Sequence, residues 1–452
     1  MFGGLSPILL YCGGILAFLL SVFWNPIAGI YYLVPLIPLQ TVRYWMMAYP
    51  LGKSVVDITL LGIVIGLVRQ RQSIFPKTPW SRLLCIYGLF TYASLCVGSF
   101  YVNSPLPFSP TDPRFLDWKD YMTMPLILFL VTAAVKDKRQ IKFLLLLMCL
   151  SVLMMDRNFW DTVAGRDFSQ YSTDLQSEGS MGYAGVNGFA AFDAQFTMFL
   201  LALAAFERKR LWWLGYTALA AFTGLCLMYC LSRGGYLALA VGWLFLAAVK
   251  QRKLLVFLLL FYLVGVPLVP NAVRERVLMT YDASDGELDH SSETRVNLWE
   301  EAMQSFEANP LTGTGFDTYA YSHHETSYRD THNFFVKALT ETGIAGLAIF
   351  LWLLWKTYST GYRLSRRARD PFLASLGLGL ACWVVCSVVA NFFGDRWHYL
   401  QVNGYMWVIA GLVARAWTIV ESEDQAARED SATDGEDGDA ALPLEPQPAG
   451  AI

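Results

Sequence analysis

Apolar runs long enough to cross a bilayer recur along almost the whole of this 452-residue chain, with short polar breaks between them. A span needs roughly 20 mostly apolar residues in a helix, because backbone groups in hydrocarbon must find their partners within the segment. The runs lack the period-two alternation that barrel strands require. Candidate spans fall at about 6–23, 26–42, 54–68, 83–101, 120–135, 141–155, 186–206, 211–231, 235–249, 254–270, 333–355, 372–393 and 399–419. Only 16% of the residues are charged, against about a quarter in soluble domains. The deficit extends over the whole length, so it does not come from a single anchor. The expected fold is all-α, a polytopic transmembrane helical bundle of 12 or 13 spans over residues 1–420. The count depends on whether the first two runs, parted only by "WNPIAG", form one broken element. The first run has no basic n-region or small-residue cleavage site and reads as a span rather than a signal peptide.

Basic residues set the sidedness. The breaks "RQRQ" (69–72), "KDKRQIK" (136–142), "ERKR" (207–210), "KQRK" (250–253) and "RLSRRAR" (363–369) all fall on one side when spans are counted between them. That side is assigned to the cytoplasm. The opposite side receives 102–118, 156–185, the tight turn 232–234, the long segment 271–331 and the short turn 394–398. Within 271–331, "SSETRVNLWEEAMQSFEANP" has near-helical apolar spacing and is followed by the turn cluster "NPLTGTGFDTY", so a helical outer loop is expected. Residues 421–452 carry ten Asp/Glu against one Arg with no apolar periodicity, and read as a disordered acidic cytoplasmic tail.

Several chemistries find no support. The eight cysteines lie inside apolar runs, two pairs at i, i+4, and read as packing residues rather than redox or metal groups. There is no G-x-x-x-x-G-K-[ST] loop and no basic stripe for nucleic acid. His323, His324, Glu325, Asp330 and His332 are competent metal ligands, but their spacing matches neither H-E-x-x-H nor an EF-hand loop. No metal and no cofactor is expected.

Arg233 stands in the joint of "CLSRGGYLALA" (230–240), on the side that basic residues avoid. An arginine there is costly unless it snorkels or finds an anion. Arg295 opens the outer helix. His332 and Asn333 stand at the outer end of the span beginning near 333, and an interfacial histidine has an unperturbed pKa suited to proton transfer. Gly343 and Gly346 suggest close helix packing in that span. Asp57 and Asp193 are the clearest intramembrane charges, Asp193 on the outer half of its span, where it could shape a donor groove.

In order, spacing and shared sidedness, "SRGGYLALA", Arg295 ahead of "NPLTGTGFDTY", and "HNFFVKALTETGIAGLAIF" (332–350) resemble the O-antigen ligase family, the bacterial polytopic glycan ligases and polymerases that share the Wzy-C region. The upstream "GYAGVNGFAAFDAQF" (182–196) resembles the family's outer segment around an asparagine, here Asn187, so the likeness covers about 182–350. One departure is visible. Family members often carry an arginine shortly before the glycine leading to that asparagine. Here "SEGSMGYAGVNG" has Glu178, and Arg166 in "AGRDFSQ" is the available substitute.

The resemblance implies a GT-C-like bundle in the bacterial inner membrane, with its active site on the periplasmic face. The donor would be a glycan on a polyprenyl diphosphate, and the acceptor a hydroxyl of another glycan, of lipid A-core or of a protein. It further implies His332 as base, Arg233, Arg295 and Arg166 as diphosphate ligands, and Asn187, Asn333 and Asp193 in support. Direct attack would invert the anomeric carbon, and the arginines supply the charge a metal might otherwise provide. A polymerase of the same family is the nearest alternative. A small-solute transporter, for instance of bicarbonate, is the alternative from another class, and would want ionisable groups near the midplane.

Overall fold

A computed structural model describes residues 5–250, 252, 255–256, 269–279, 290–321 and 330–438. Fifteen α-helices are described. They are α1 (Leu5–Phe23), α2 (Ile27–Leu36), α3 (Gln40–Trp45), α4 (Val55–Arg69), α5 (Ser81–Tyr101), α6 (Pro113–Ala134), α7 (Lys138–Val163) and α8 (Gly185–Ala204). There follow α9 (Arg210–Tyr229), α10 (Arg233–Val249), α11 (Asn271–Leu278), α12 (His290–Ala308), α13 (Phe334–Arg367), α14 (Pro371–Phe392) and α15 (Leu400–Gly438). No strand occurs among the described residues. Seven of these helices are long and apolar enough to cross a membrane, and two shorter ones, α2 and α10, are also apolar. The protein is a polytopic helical bundle, as the hydropathy pattern requires. The expected span at 254–270 lies almost wholly outside the described residues.

Helix starts are written in short polar signals. Asp112–Pro113 and Asp370–Pro371 open α6 and α14, with proline in the first turn and the aspartate accepting backbone N–H groups. Proline loses nothing there, since a first-turn N–H has no intrahelical partner, and the carboxylate satisfies the next orphan donors. Asp137 caps α7 in the same way.

Helix α8 is the axis of the bundle, buried on all sides from Gly188 to Leu200. It packs against α9, α10 and α14, while α14 also packs against α10, α13 and α15. Phe192, Phe196 and Phe199 of α8 pack edge-to-face around Trp383 of α14. Peripheral helices instead present apolar side chains outward, such as Leu9 and Leu16 on α1 and Leu211 and Leu214 on α9. That is the pattern of a surface facing lipid.

Two expectations need correction. Helix α15 continues through Gly438, so helix replaces the disordered tail expected from 421, while 439–452 lie outside the described residues. Its extension is held at the basic end of the bundle by Lys138–Glu423 and Arg367–Asp424 contacts of 2.9 Å. Gly343 does not serve helix–helix packing. It kinks α13 at φ +63°, and a Cβ there would stand 2.3 Å from the Leu311 carbonyl oxygen. The "NPLTGTGFDTY" turn therefore docks its backbone onto the kink. Its Gly315, at φ +116°, lies equally close against Gly98 of α5, and only glycine tolerates such angles without strain.

Candidate active site

One end of the bundle holds a cavity of about 490 Å³ whose lining includes Arg233, Arg276, Arg295 and Arg396, together with Asn187, Ser232 and Tyr171. Each arginine comes from a different segment. Arg233 is the first residue of α10, after a tight turn in which Leu231 adopts φ +55°. The turn places a guanidinium beside the open N–H groups and positive dipole end of a 17-residue helix, which favours an anion. Its Nη1 donates to the Met279 carbonyl at 3.3 Å, which ties α10 to the end of α11. Arg276, on α11, stacks over the Tyr171 ring at 4.9 Å. Arg295 projects from the first half of α12. Arg396 sits in the turn between α14 and α15, where Asn391 Oδ1 accepts its backbone N–H at 3.1 Å and Asn403 Nδ2 donates to its carbonyl at 2.8 Å. Asn187 joins the wall through a 2.7 Å hydrogen bond from Ser232 Oγ.

The cavity lies at the N-terminal ends of α8 and α10 and the C-terminal end of α14. The basic segments 207–210, around 250, and 363–369 lie at the other ends of the same helices. Cavity and cationic breaks are thus at opposite faces of the bundle.

His332 does not line the cavity; it stands beside it. Its segment is fastened to both walls. Trp299, one turn after Arg295 on α12, donates Nε1–H to the Thr331 carbonyl at 2.9 Å, and the Phe334 N–H donates to Gly394 at 3.3 Å. His332 has φ +50°, an uncommon conformation for a side-chain-bearing residue. Asp330 holds it there, accepting from the His332 backbone N–H and pairing with Nδ1, each at 2.7 Å. Burial pushes the Asp330 carboxyl up, but the hydrogen bonds and charge of His332 outweigh it and leave the carboxyl below its ordinary value. A carboxylate can only accept, so Nδ1 is the nitrogen that donates to Asp330, and Nε2 is the other ring nitrogen.

Behind this loop is a closed polar cluster. Lys337 of α13 lies 3.1 Å from Asp395 Oδ2 and 3.7 Å from Asp317 Oδ1, and Asp395 Oδ1 is 2.9 Å from His398 Nδ1. Glu341 accepts the backbone N–H groups of Asp317 and Tyr319, both at 3.0 Å. Lys337, Asp395 and Glu341 are all buried.

Other sequence candidates fall elsewhere. Arg166 is exposed and donates to the Asp174 carbonyl at 2.9 Å. It braces the 173–176 strip that forms one wall and does not itself line the cavity, whereas Arg276 and Arg396 do. Asn333 is an N-cap: its Oδ1 accepts from Phe335 at 3.0 Å and Val336 at 3.3 Å. Asp193 does not reach the cavity. Asn187 and Ala191 face it at i, i+4, which puts Asp193 about 120° round α8 from Asn187, fully buried and with no hydrogen-bond partner among the described residues. Asp57, half-exposed in the first turn of α4, pairs with Lys119 at 2.9 Å and does not line the cavity. His323, His324 and Glu325 lie outside the described residues.

Hydropathy reasoning missed Arg276 and Arg396. The argument that singled out Arg233, a cation on the face basic residues avoid, applies unchanged to Arg396 in "GDRWHYL". Arg276 sits in the ordinary-looking "VRERVL", and nothing local distinguishes it from Arg274.

Residues 218–351 match the Wzy_C family model, O-antigen ligase. The matched stretch takes in Arg233, Arg276, Arg295, Asp330 and His332. Asn187 and Arg396 lie outside it, so the cavity is built by the family region together with helices on both sides. No curated protein matches the chain.

Proposed function

We propose that the protein transfers a glycan from a polyprenyl diphosphate to an acceptor hydroxyl, at the membrane face opposite its basic segments, the periplasmic face of a bacterial inner membrane. The observation that carries this reading is the convergence of four arginines from four segments on one cavity inside a chain with an O-antigen ligase region. Arginine suits a diphosphate because its charge is permanent and its planar fork matches two phosphate oxygens.

The acceptor O–H loses its proton to His332 Nε2 while its oxygen bonds to the anomeric carbon. The bond from that carbon to the diphosphate oxygen breaks, and the electron pair leaves with the diphosphate. Attack opposite the leaving group inverts the centre. Positive charge fixed at the leaving oxygens stabilises what develops there, so neither a general acid nor a metal is required. Asp330 orients the imidazole and stabilises the imidazolium once formed. The polyprenyl chain lies along the lipid-facing helices below the cavity. A polymerase would run the same chemistry with a carrier-linked glycan as acceptor. A ligase would use lipid A-core or protein.

Cells expressing His332→Ala, Arg233→Ala or Arg295→Ala test the proposal by their surface glycan on a gel. Loss of a positioned base costs ~10²–10⁴-fold, and loss of one donor to the leaving group ~10²–10³-fold. If all three variants reach the membrane in normal amount and still transfer glycan, the proposal is wrong.

A further inference from the structure

A second cavity lies at the opposite end of the bundle. It measures about 730 Å³ and is walled by α7, α9, the 206–209 turn and the start of α14. Leu203 of α8 and Pro371 of α14 border it, whereas Asn187 and Ala390 of the same helices border the arginine cavity. Sixteen residues of α8 between them span about 24 Å, so the two are distinct and face different leaflets.

The shape is that of a lipid slot. Along α7 it runs from Lys142 to Leu153, about 16 Å of helix, close to one leaflet's share of a ~30 Å hydrocarbon core. The deeper wall is apolar, with Leu153, Leu219 and Phe222, and Trp212 lies nearer the cationic end; Leu153 and Trp212 are each 44% exposed, so the groove opens sideways to the bilayer. The headgroup end carries Lys142, Arg208 and Lys209. Two carboxylates also stand there, and both are occupied. Asp370 caps α14 and pairs with Lys138 at 2.9 Å, and Glu207 accepts the Lys209 backbone N–H at 2.8 Å. The Lys142 ammonium lies 4.9 Å over the Phe372 ring, at the mouth.

We infer that this groove binds an anionic diacyl phospholipid, with its phosphate against Lys142, Arg208 and Lys209 and an acyl chain along Leu153, Leu219 and Phe222. Cations at one end of an apolar slot one leaflet deep complement such a lipid and not a neutral one. The inference does not depend on the proposed glycan transfer.

The full-length protein in phosphatidylethanolamine nanodiscs, titrated with phosphatidylglycerol and followed by native mass spectrometry, tests it. Phosphatidylglycerol should bind tighter than phosphatidylethanolamine by roughly tenfold or more. The triple substitution Lys142→Gln, Arg208→Gln, Lys209→Gln should abolish the preference. Gly215→Phe should remove the bound lipid, because a Cβ at Gly215 meets no atom within 4 Å and the ring fills the groove without disturbing packing. Both variants should melt as the wild type does in detergent without added lipid. An unchanged preference in the triple variant, equal binding of the two lipids by the wild type, undiminished lipid on Gly215→Phe, or a second copy of the chain over the groove would each overturn the inference.

Discussion

Two polar clusters stand side by side at the same end of the bundle, and they differ in the residues they gather and in the open space beside them. The arginine cavity gathers four like charges around about 490 Å³ of space. The Lys337–Asp395–Asp317–Glu341–His398 cluster packs both signs together, with Asp395 within 3.1 Å of both Lys337 and His398, and the void beside it is only about 10 Å³. Arginines from four segments beside open space can offer an anion several guanidinium forks at once. Mixed charges in a closed space are compensated internally, and such a cluster holds the loop in place. Burial and ionisable residues do not by themselves mark a site; cations converging from several segments on open volume are the stronger sign.

The comparison predicts opposite failures. Arg295→Ala and Arg396→Ala should each lower transfer ~10²-fold or more and leave thermal melting near that of the wild type. If either instead unfolds the protein, the cavity is structural and the contrast breaks. Asp395→Ala should do the reverse, costing ~3–5 kcal/mol because Lys337 is left buried without its nearest carboxylate, with activity falling only in proportion to the folded fraction.

The pH dependence of melting sharpens the same point. Burial pushes the Asp395 carboxyl up, but Lys337 and His398 hold it well below the usual carboxylate range. A depressed carboxyl contributes its full stability above its unfolded value and loses it as pH falls through the folded one. Stability carried by this group should therefore persist from neutrality to about pH 4, and Asp395→Asn should forfeit it across that window. Smaller effects should follow at the periphery. Asn333→Ala removes one helix cap, ~1 kcal/mol by melting. Arg166→Ala, which only braces the 173–176 wall, should change transfer less than about threefold, far below the loss at Arg295.

Much of this fold was legible in the sequence because hydrocarbon imposes strict rules. Apolar runs gave helices close to their predicted positions, and the first-turn signals at Asp112–Pro113, Asp370–Pro371 and Asn333 sit where capping chemistry needs them. The site was legible only in part. Arg233, Arg295 and Asn187 do share a cavity, and His332 stands beside it. Arg276 and Arg396 were not read because their role comes from the tertiary convergence of α11 and the α14–α15 turn on the start of α10. In the sequence Asp330 reads only as a competent metal ligand. Asp193 illustrates the converse: a charge at suitable depth, turned away from the cavity by helical phase.

The central claim is that the arginine cavity is a diphosphate site. Calorimetric titration of the purified protein with farnesyl diphosphate, a short polyprenyl diphosphate, tests it directly, with farnesyl monophosphate and the Arg233→Ala and Arg295→Ala variants alongside. The account predicts tighter binding of the diphosphate and a loss of about tenfold or more for each arginine removed. Equal affinity for the two ligands, or undiminished diphosphate affinity in both variants, would contradict it.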